Sequence, residues 1–95
     1  MRESQIEKKL VMATKAKGGI APKFTSPGFN GMPDRLLLLP GGRMGFVELK
    51  AAGKKPRPLQ LARHRLLKRL GFKVYVIDSI KQIDKVLNEI GGGAL

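Results

Sequence analysis

Apolar residues recur at helical spacing in three parts of the chain, and glycine follows each of them. The three sets are Ile6, Leu10, Val11 and Ala13; Ala62, Leu66, Leu67 and Leu70; and Ile80, Ile83, Leu87 and Ile90. Each set predicts the inward face of an amphipathic helix. Gly18, Gly71 and Gly91 predict the three helix ends. Ser79, followed by Gln82, is a capping-box pattern that predicts the start of the last helix.

Shorter apolar runs between these sets predict strands. Residues 36–39 are four consecutive leucines, and Pro40-Gly41-Gly42 follows them, which predicts a buried strand and a tight turn. Residues 46–49 then predict the partner strand of a hairpin. Residues 20–25 predict a short strand at a sheet edge, because Pro22 cannot donate to a central ladder. Residues 73–77 predict a further strand.

The predicted order is helix, three strands, helix, strand, helix, which makes an α/β fold. Its 95 residues suit one domain with one core. The glycines at residues 91–93 predict that residues 91–95 form a flexible tail. No stretch approaches the roughly 20 apolar residues of a membrane span. The first residues lack the apolar core of a signal peptide, so we expect a cytoplasmic protein that spans no membrane.

The chain is strongly basic. It has 19 Lys and Arg against 7 Asp and Glu, a formal net charge of +12. Such a balance is typical of proteins that bind a polyanion, although a merely soluble basic surface is the alternative. The candidate phosphate contacts form a basic segment, residues 54–69: Lys54, Lys55, Arg57, Arg63, His64, Arg65 and Lys68. We expect its affinity for DNA to fall with salt.

The few acidic residues include a pair with a distinctive placement. Asp34 lies at the start of one hairpin strand and Glu48 lies near the end of the other, with thirteen residues between them. These positions meet at the open end of an antiparallel hairpin. Lys50 projects from the same strand face as Glu48, because side chains two apart share a face. A surface ion pair at a strand end is the simpler interpretation of Glu48 and Lys50.

The alternative interpretation of this pair is chemical. A divalent ion held by two carboxylates can neutralise phosphate oxygens and activate the attacking water, and a nearby lysine can orient that water. The carbonyl of Leu49 is a further candidate ligand. Because the chain has no cysteine, any metal must have oxygen ligands, which favours Mg²⁺ or Mn²⁺.

The motifs resemble the VRR-NUC (virus-type replication-repair nuclease) family of the PD-(D/E)xK nuclease superfamily. The matching stretches are Ser26-Pro27-Gly28, Gly31-Met32-Pro33-Asp34-Arg35, Phe46-Val47-Glu48-Leu49-Lys50, Pro58-Leu59-Gln60 and Gly71-Phe72-Lys73-Val74. The resemblance covers nearly the whole chain and implies a restriction-endonuclease-like αβββαβ core with a C-terminal helix. The chain departs from the family at Phe29-Asn30, where relatives often carry basic residues.

The resemblance also implies roles for individual residues. Those that match catalytic or metal-binding positions are Asp34, Glu48, Lys50 and Gln60. The family further contributes a glutamate from its first helix, for which Glu3 and Glu7 are the candidates. They lie four apart and so share a helix face. Glu7 is preferred, because it stands between Ile6 and Leu10 of the apolar set.

The function that these features favour is a Mg²⁺- or Mn²⁺-dependent DNA endonuclease. Small members of the family resemble structure-selective enzymes that cut branched DNA such as four-way (Holliday) junctions, and the resemblance implies a role in phage replication, recombination or repair. A homodimer without a small-molecule cofactor is expected, because pairing would double the basic surface. The alternatives are a non-catalytic nucleic-acid-binding module and a nuclease-fold subunit of a larger replication or packaging complex.

Overall fold

The computed structural model of the protein describes residues 1–92. Its helices are α1 (Glu3–Ala16), α2 (Pro58–Arg69) and α3 (Ile83–Ile90), and a 3₁₀ turn (Ile80–Gln82) precedes α3. Its strands are β1 (Arg35–Leu39), β2 (Arg43–Leu49) and β3 (Val74–Ile77). They form a sheet in the order β1-β2-β3, antiparallel between β1 and β2 and parallel between β2 and β3. The predicted α/β class is confirmed.

The sheet lies between two layers of helix. On one face, α1 and α3 bury the larger core, which includes Ile6, Leu10, Leu37, Val47, Leu49, Ile77 and Leu87. On the other face, α2 covers a smaller core of Leu67, Phe46 and Val74. Alternation along β2 therefore directs Val47 and Leu49 toward α1 and α3, and Phe46 and Glu48 toward α2. This second face carries the site described below.

The segment predicted as a strand at residues 20–25 is not a regular strand. It makes two isolated antiparallel bridges to β1, Ile20 with Leu38 and Lys23 with Arg35. The Leu36 N–H donates to the Pro22 carbonyl at 3.1 Å. Pro22 has no N–H to donate in return, so the ladder is interrupted there. The segment borders β1 without becoming a fourth ladder strand.

The inward face of α2 differs from the predicted one. The sequence pattern assigned Ala62, Leu66, Leu67 and Leu70 to this face. The structure buries Gln60, His64 and Leu67, and leaves Leu70 64% exposed. Spacings of four and three residues place the buried set on one side of the helix. Leu67 is buried as predicted, but the assignment of Leu70 was wrong, because the polar side chains Gln60 and His64 of α2 meet the polar end of β2.

The last helix is capped as predicted, but its first turn is tighter. The Ser79 Oγ accepts the Lys81 N–H at 3.2 Å, and the Gln82 Oε1 accepts the Ser79 N–H at 3.1 Å. The α3 helix itself begins at Ile83. The Gly91 N–H still donates to the Leu87 carbonyl at 2.9 Å. Of the predicted flexible tail, residues 93–95 lie outside the described residues.

No helix within residues 1–92 combines the length and the apolar character needed to cross a membrane.

Candidate active site

The β1–β2 hairpin places Asp34 beside Glu48. Its turn uses Gly41 and Gly42 at φ values of 84° and 74°, a left-handed conformation that glycine adopts with little strain. The resulting register pairs Arg35 with Val47, so Asp34 and Glu48 are the next positions at the open end. The Leu49 N–H donates to the Asp34 Oδ2 at 2.8 Å. The strand end thus holds the Asp34 carboxylate next to the base of Glu48.

Glu48 is the centre of a buried polar cluster. It is 1% exposed, which is unusual for a carboxylate. The Gln60 Nε2 donates to its Oε2 at 3.0 Å, and the Lys50 Nζ lies 3.8 Å from the same oxygen. The His64 Nε2 lies 3.5 Å from the Oε1. Three polar side chains from β2's end and α2 therefore surround one carboxylate.

The environment of Glu48 favours its protonated form. Burial, and then repulsion from the Asp34 carboxylate, raise the pKa of Glu48 to about 8, although Lys50 acts in the opposite direction. Removal of water disfavours the charged form, and a second carboxylate nearby disfavours it further. A carboxyl group in this environment can lose its proton when a metal cation binds in its place.

Gln60 connects α2 to Glu48 in a defined orientation. Its Oε1 accepts the Arg57 N–H at 2.8 Å, so Gln60, the third residue of α2, supplies the side-chain acceptor of a capping box. Because the amide oxygen is engaged by this N–H, the amide nitrogen must face Glu48. The helix cap therefore fixes the donor that Glu48 receives, and Gln60 is only 6% exposed.

His64 lies inside the site and not on the exposed basic face where it was predicted. It is 5% exposed and shares the inward side of α2 with Gln60. Burial lowers the pKa of His64, and the charges of Lys68 and Lys50 lower it further. A neutral buried imidazole is placed to contact Glu48 rather than a DNA phosphate. The spacing of four residues between Gln60 and His64 is the sequence signal that indicates their common face.

The two candidate glutamates of α1 have different surroundings. The Glu7 Oε2 accepts a hydrogen bond from the Arg35 Nη2 at 2.7 Å. Glu3 is exposed, and its charge makes a minor contribution to raising the pKa of Glu48, after burial and Asp34. Both line a cleft of about 240 Å³, together with Lys23, Phe24, Thr25 and Asp34. Glu7 is thus already paired with an arginine, whereas Glu3 faces the cleft without that pairing.

The donor set suits a hard divalent cation. Within residues 1–92, no three Asp, Glu or His side chains are grouped closely enough to hold a metal ion by themselves. Mg²⁺ is commonly bound through one or two carboxylates, with water and substrate phosphates as the other ligands. Asp34 and Glu48 provide such a pair, and a bound cation would offset both the burial of Glu48 and its repulsion from Asp34, which raise the pKa of Glu48. The residues therefore fit a Mg²⁺ or Mn²⁺ ion.

Most of the predicted phosphate contacts lie on the surface. The exposed residues of the basic segment are Lys54, Lys55, Arg57, Arg65 and Lys68. Arg63 is only partly exposed, because its Nε donates to the Asn30 carbonyl at 2.7 Å. With His64 buried, five of the seven predicted contacts remain open to an external partner.

The stability of the metal-free protein is expected to depend on pH through Glu48. The folded state binds this proton more tightly than the unfolded chain, whose glutamate has a pKa near 4.5. The stabilisation is therefore complete below pH 4.5 and is lost as the pH rises through about 8. We expect Glu48→Gln to be more stable than the native protein at pH 8.5, with the difference shrinking toward pH 5. Urea unfolding in EDTA measures this difference, and a pH-independent difference would contradict the assignment.

Comparison with known proteins agrees with this architecture. No protein-family model matches the sequence. The chain is 54% identical over 79 residues to "Putative nuclease p44" of Acyrthosiphon pisum secondary endosymbiont phage 1, which covers 83% of this chain and 85% of that protein. It is also similar to a solved structure described as "VRR_NUC domain", with a TM-score of 0.83 and 35% identity over 92% of this chain and 96% of the other. The resemblance is confirmed, and the chain belongs to the VRR-NUC family.

Proposed function

We propose that the protein is a metal-dependent DNA endonuclease. The observation that carries this proposal is the buried Glu48, held next to Asp34 at the open end of a hairpin with Lys50 3.8 Å away. A purely structural carboxylate gains little from this placement, since burial and a like-charged neighbour both oppose its ionisation. The phage relative named as a nuclease supports the same conclusion.

Each residue of the site has a distinct role in this proposal. Asp34 and Glu48 hold Mg²⁺ or Mn²⁺, and the Leu49 carbonyl is a further candidate ligand. The ion supplies Lewis-acid stabilisation of the phosphate oxygens. Lys50 orients the attacking water or offsets the negative charge that develops on the phosphate. Gln60 holds the Glu48 carboxylate through its amide nitrogen.

The α1 contribution is proposed to come from Glu3 rather than from the preferred Glu7. Glu7 is already paired with the Arg35 guanidinium. Removal of a metal ligand and removal of an ion pair should have different effects. We expect Glu3→Gln to raise the Mn²⁺ concentration for half-maximal cleavage by about tenfold or more, the scale of a weakened metal site. Glu7→Gln should instead lower the melting temperature and leave that concentration little changed. The reverse pattern in a Mn²⁺ titration of both variants would restore Glu7.

The proposed substrate is branched DNA in phage-type replication, recombination or repair, within the cytoplasm of a bacterial host. The exposed basic residues suit phosphate contacts, which carry no base sequence information but do follow the shape of the DNA. The protein is proposed to act as a homodimer, which presents two sites to two strands.

The test is a panel of labelled substrates incubated with EDTA, Mg²⁺ or Mn²⁺. The panel contains duplex, single strand, flap and four-way junction, and the mass of the protein in solution is measured alongside. Metal-dependent cutting of the branched substrates supports the proposal. Binding without cutting under any metal condition would favour the non-catalytic module instead, and equal cutting of all four substrates would refute structure selectivity.

A further inference from the structure

A solvent-exposed aromatic ring lies on the loop that leads into the catalytic hairpin. This entrance loop, residues 26–31, ends three residues before Asp34. Its Phe29 is 40% exposed and belongs to neither hydrophobic core. The other exposed phenylalanine, Phe72, is 42% exposed, but its ring packs edge-on against Phe46 of the smaller core. Phe29 therefore lacks the packing role that explains Phe72.

The α2 helix holds the entrance loop in place. The Arg63 guanidinium lies over the Phe29 ring at 3.9 Å from its centroid, and the Arg63 Nε donates to the Asn30 carbonyl at 2.7 Å. Gly31 has a φ of 88°, and a Cβ there would lie 2.8 Å from the Leu59 Cγ. The loop is thus pressed against the first turns of α2. The same turns carry Gln60, whose amide donates to Glu48, so α2 contacts both the entrance loop and the carboxylate pair.

This arrangement leaves part of the Phe29 ring available for stacking. A cation is attracted to the face of an aromatic ring, and this contact with Arg63 restricts the orientation of the Phe29 ring. The 40% exposure of the ring leaves surface for a second planar group. The exposed cations of the basic segment lie on α2 or in the residues just before it, which makes a polyanion the complementary occupant.

We propose that Phe29, ordered by Arg63, is a stacking platform for an unpaired nucleobase next to the cleaved phosphate. The inference rests on the proposed nuclease function and extends it to the origin of structure selectivity. Within a continuous duplex both faces of every base are stacked, so the platform has no partner. At a junction, a flap or a single-stranded end, a base has a free face. Stacking on an aromatic side chain then favours branched DNA over duplex.

The first test reads stacking without cleavage. A four-way junction with 2-aminopurine at its branch point is titrated with the protein in Ca²⁺, and the fluorescence change on binding is recorded. Native protein and Phe29→Trp should both quench the 2-aminopurine. Phe29→Leu should bind with little quenching, while Phe72→Leu, which removes an equally exposed ring at the other end of α2, should quench as the native protein does. Equal quenching by Phe29→Leu and native protein would overturn the platform.

The second test is the ratio of junction cleavage to duplex cleavage in Mn²⁺. Phe29→Leu should lower this ratio by about tenfold, within the range that base–aromatic stacking supplies. Phe29→Trp should restore the ratio, and Phe72→Leu should leave it unchanged. An unaltered ratio in Phe29→Leu, or an equal loss in Phe72→Leu, would overturn the proposal.

The two tests also separate this inference from the nuclease assignment. Quenching by the native protein without cleavage in any metal would reject the nuclease and keep the platform. Metal-dependent cleavage with an unchanged ratio in Phe29→Leu would reject the platform and keep the nuclease.

Discussion

Asp34→Asn and Glu48→Gln should each lower metal-dependent cleavage by about three orders of magnitude or more, while DNA binding stays within a few-fold. The change removes a charged metal ligand but keeps the shape of the side chain, so Lewis-acid stabilisation of several kcal/mol is lost. Binding depends on the exposed cations of the basic segment, which neither substitution touches. Single-turnover cleavage of a labelled junction and its Kd in Ca²⁺ measure the two effects separately.

Matched controls exist on α3. Asp84→Asn and Glu89→Gln make the same chemical changes at exposed positions away from the site, and both should cleave at the native rate. They test whether the loss of any one negative charge affects catalysis. Undiminished cutting by Asp34→Asn or Glu48→Gln would end the assignment of this pair as the metal-binding carboxylates.

Gln60→Glu should reduce cleavage by about ten- to a hundredfold without unfolding α2. A glutamate at this position still accepts the Arg57 N–H and so preserves the capping box. It replaces the amide donor, 3.0 Å from the Glu48 Oε2, with a third carboxylate. Loss of a group that orients a metal ligand typically costs this factor in affinity or activity. Cleavage rate as a function of Mn²⁺ concentration, together with the melting temperature, provides the measurement.

A second capping box serves as the control for this substitution. Gln82 occupies the equivalent position of the turn before α3, where its Oε1 accepts the N–H of Asp78 at 2.8 Å and of Ser79 at 3.1 Å. Gln82→Glu should therefore change neither stability nor cleavage appreciably. Native activity in Gln60→Glu would show that the amide donor to Glu48 is dispensable, and equal losses in both variants would point to a general charge effect.

The juxtaposition of Asp34 and Glu48 followed from local information. Leucines and a glycine turn at residues 36–42 predicted a hairpin, and strand alternation placed Lys50 on the face of Glu48. Such relations depend on the period of a strand and on the length of one turn. The same local rules located the capping box at Ser79 and the end of each helix.

The contacts that α2 makes with Glu48 did not follow from periodicity in the same way, although the family resemblance already pointed to Gln60. Helical spacing identified α2, but the rotation of that helix depends on which groups it meets. The buried Glu48 requires hydrogen-bond donors, and Gln60 and His64 satisfy this need, whereas Leu70 remains in solvent. A prediction from hydrophobic periodicity places leucine rather than glutamine in the core, so it cannot identify the burial of Gln60 and His64.

The first-helix glutamates and the entrance loop illustrate the same division. Glu3 and Glu7 are equivalent by spacing, and only the folded chain brings Arg35 to Glu7. Asn30 and Arg63 are 33 positions apart in the sequence, and only packing of the entrance loop on α2 brings Arg63 to Asn30 and to the Phe29 ring. By itself the sequence determined the hairpin, the carboxylate pair at its open end and the basic character of the chain, because these follow from short-range periodicity and composition. The tertiary structure decided which polar groups surround the pair, because burial of a charge is satisfied by partners from distant segments.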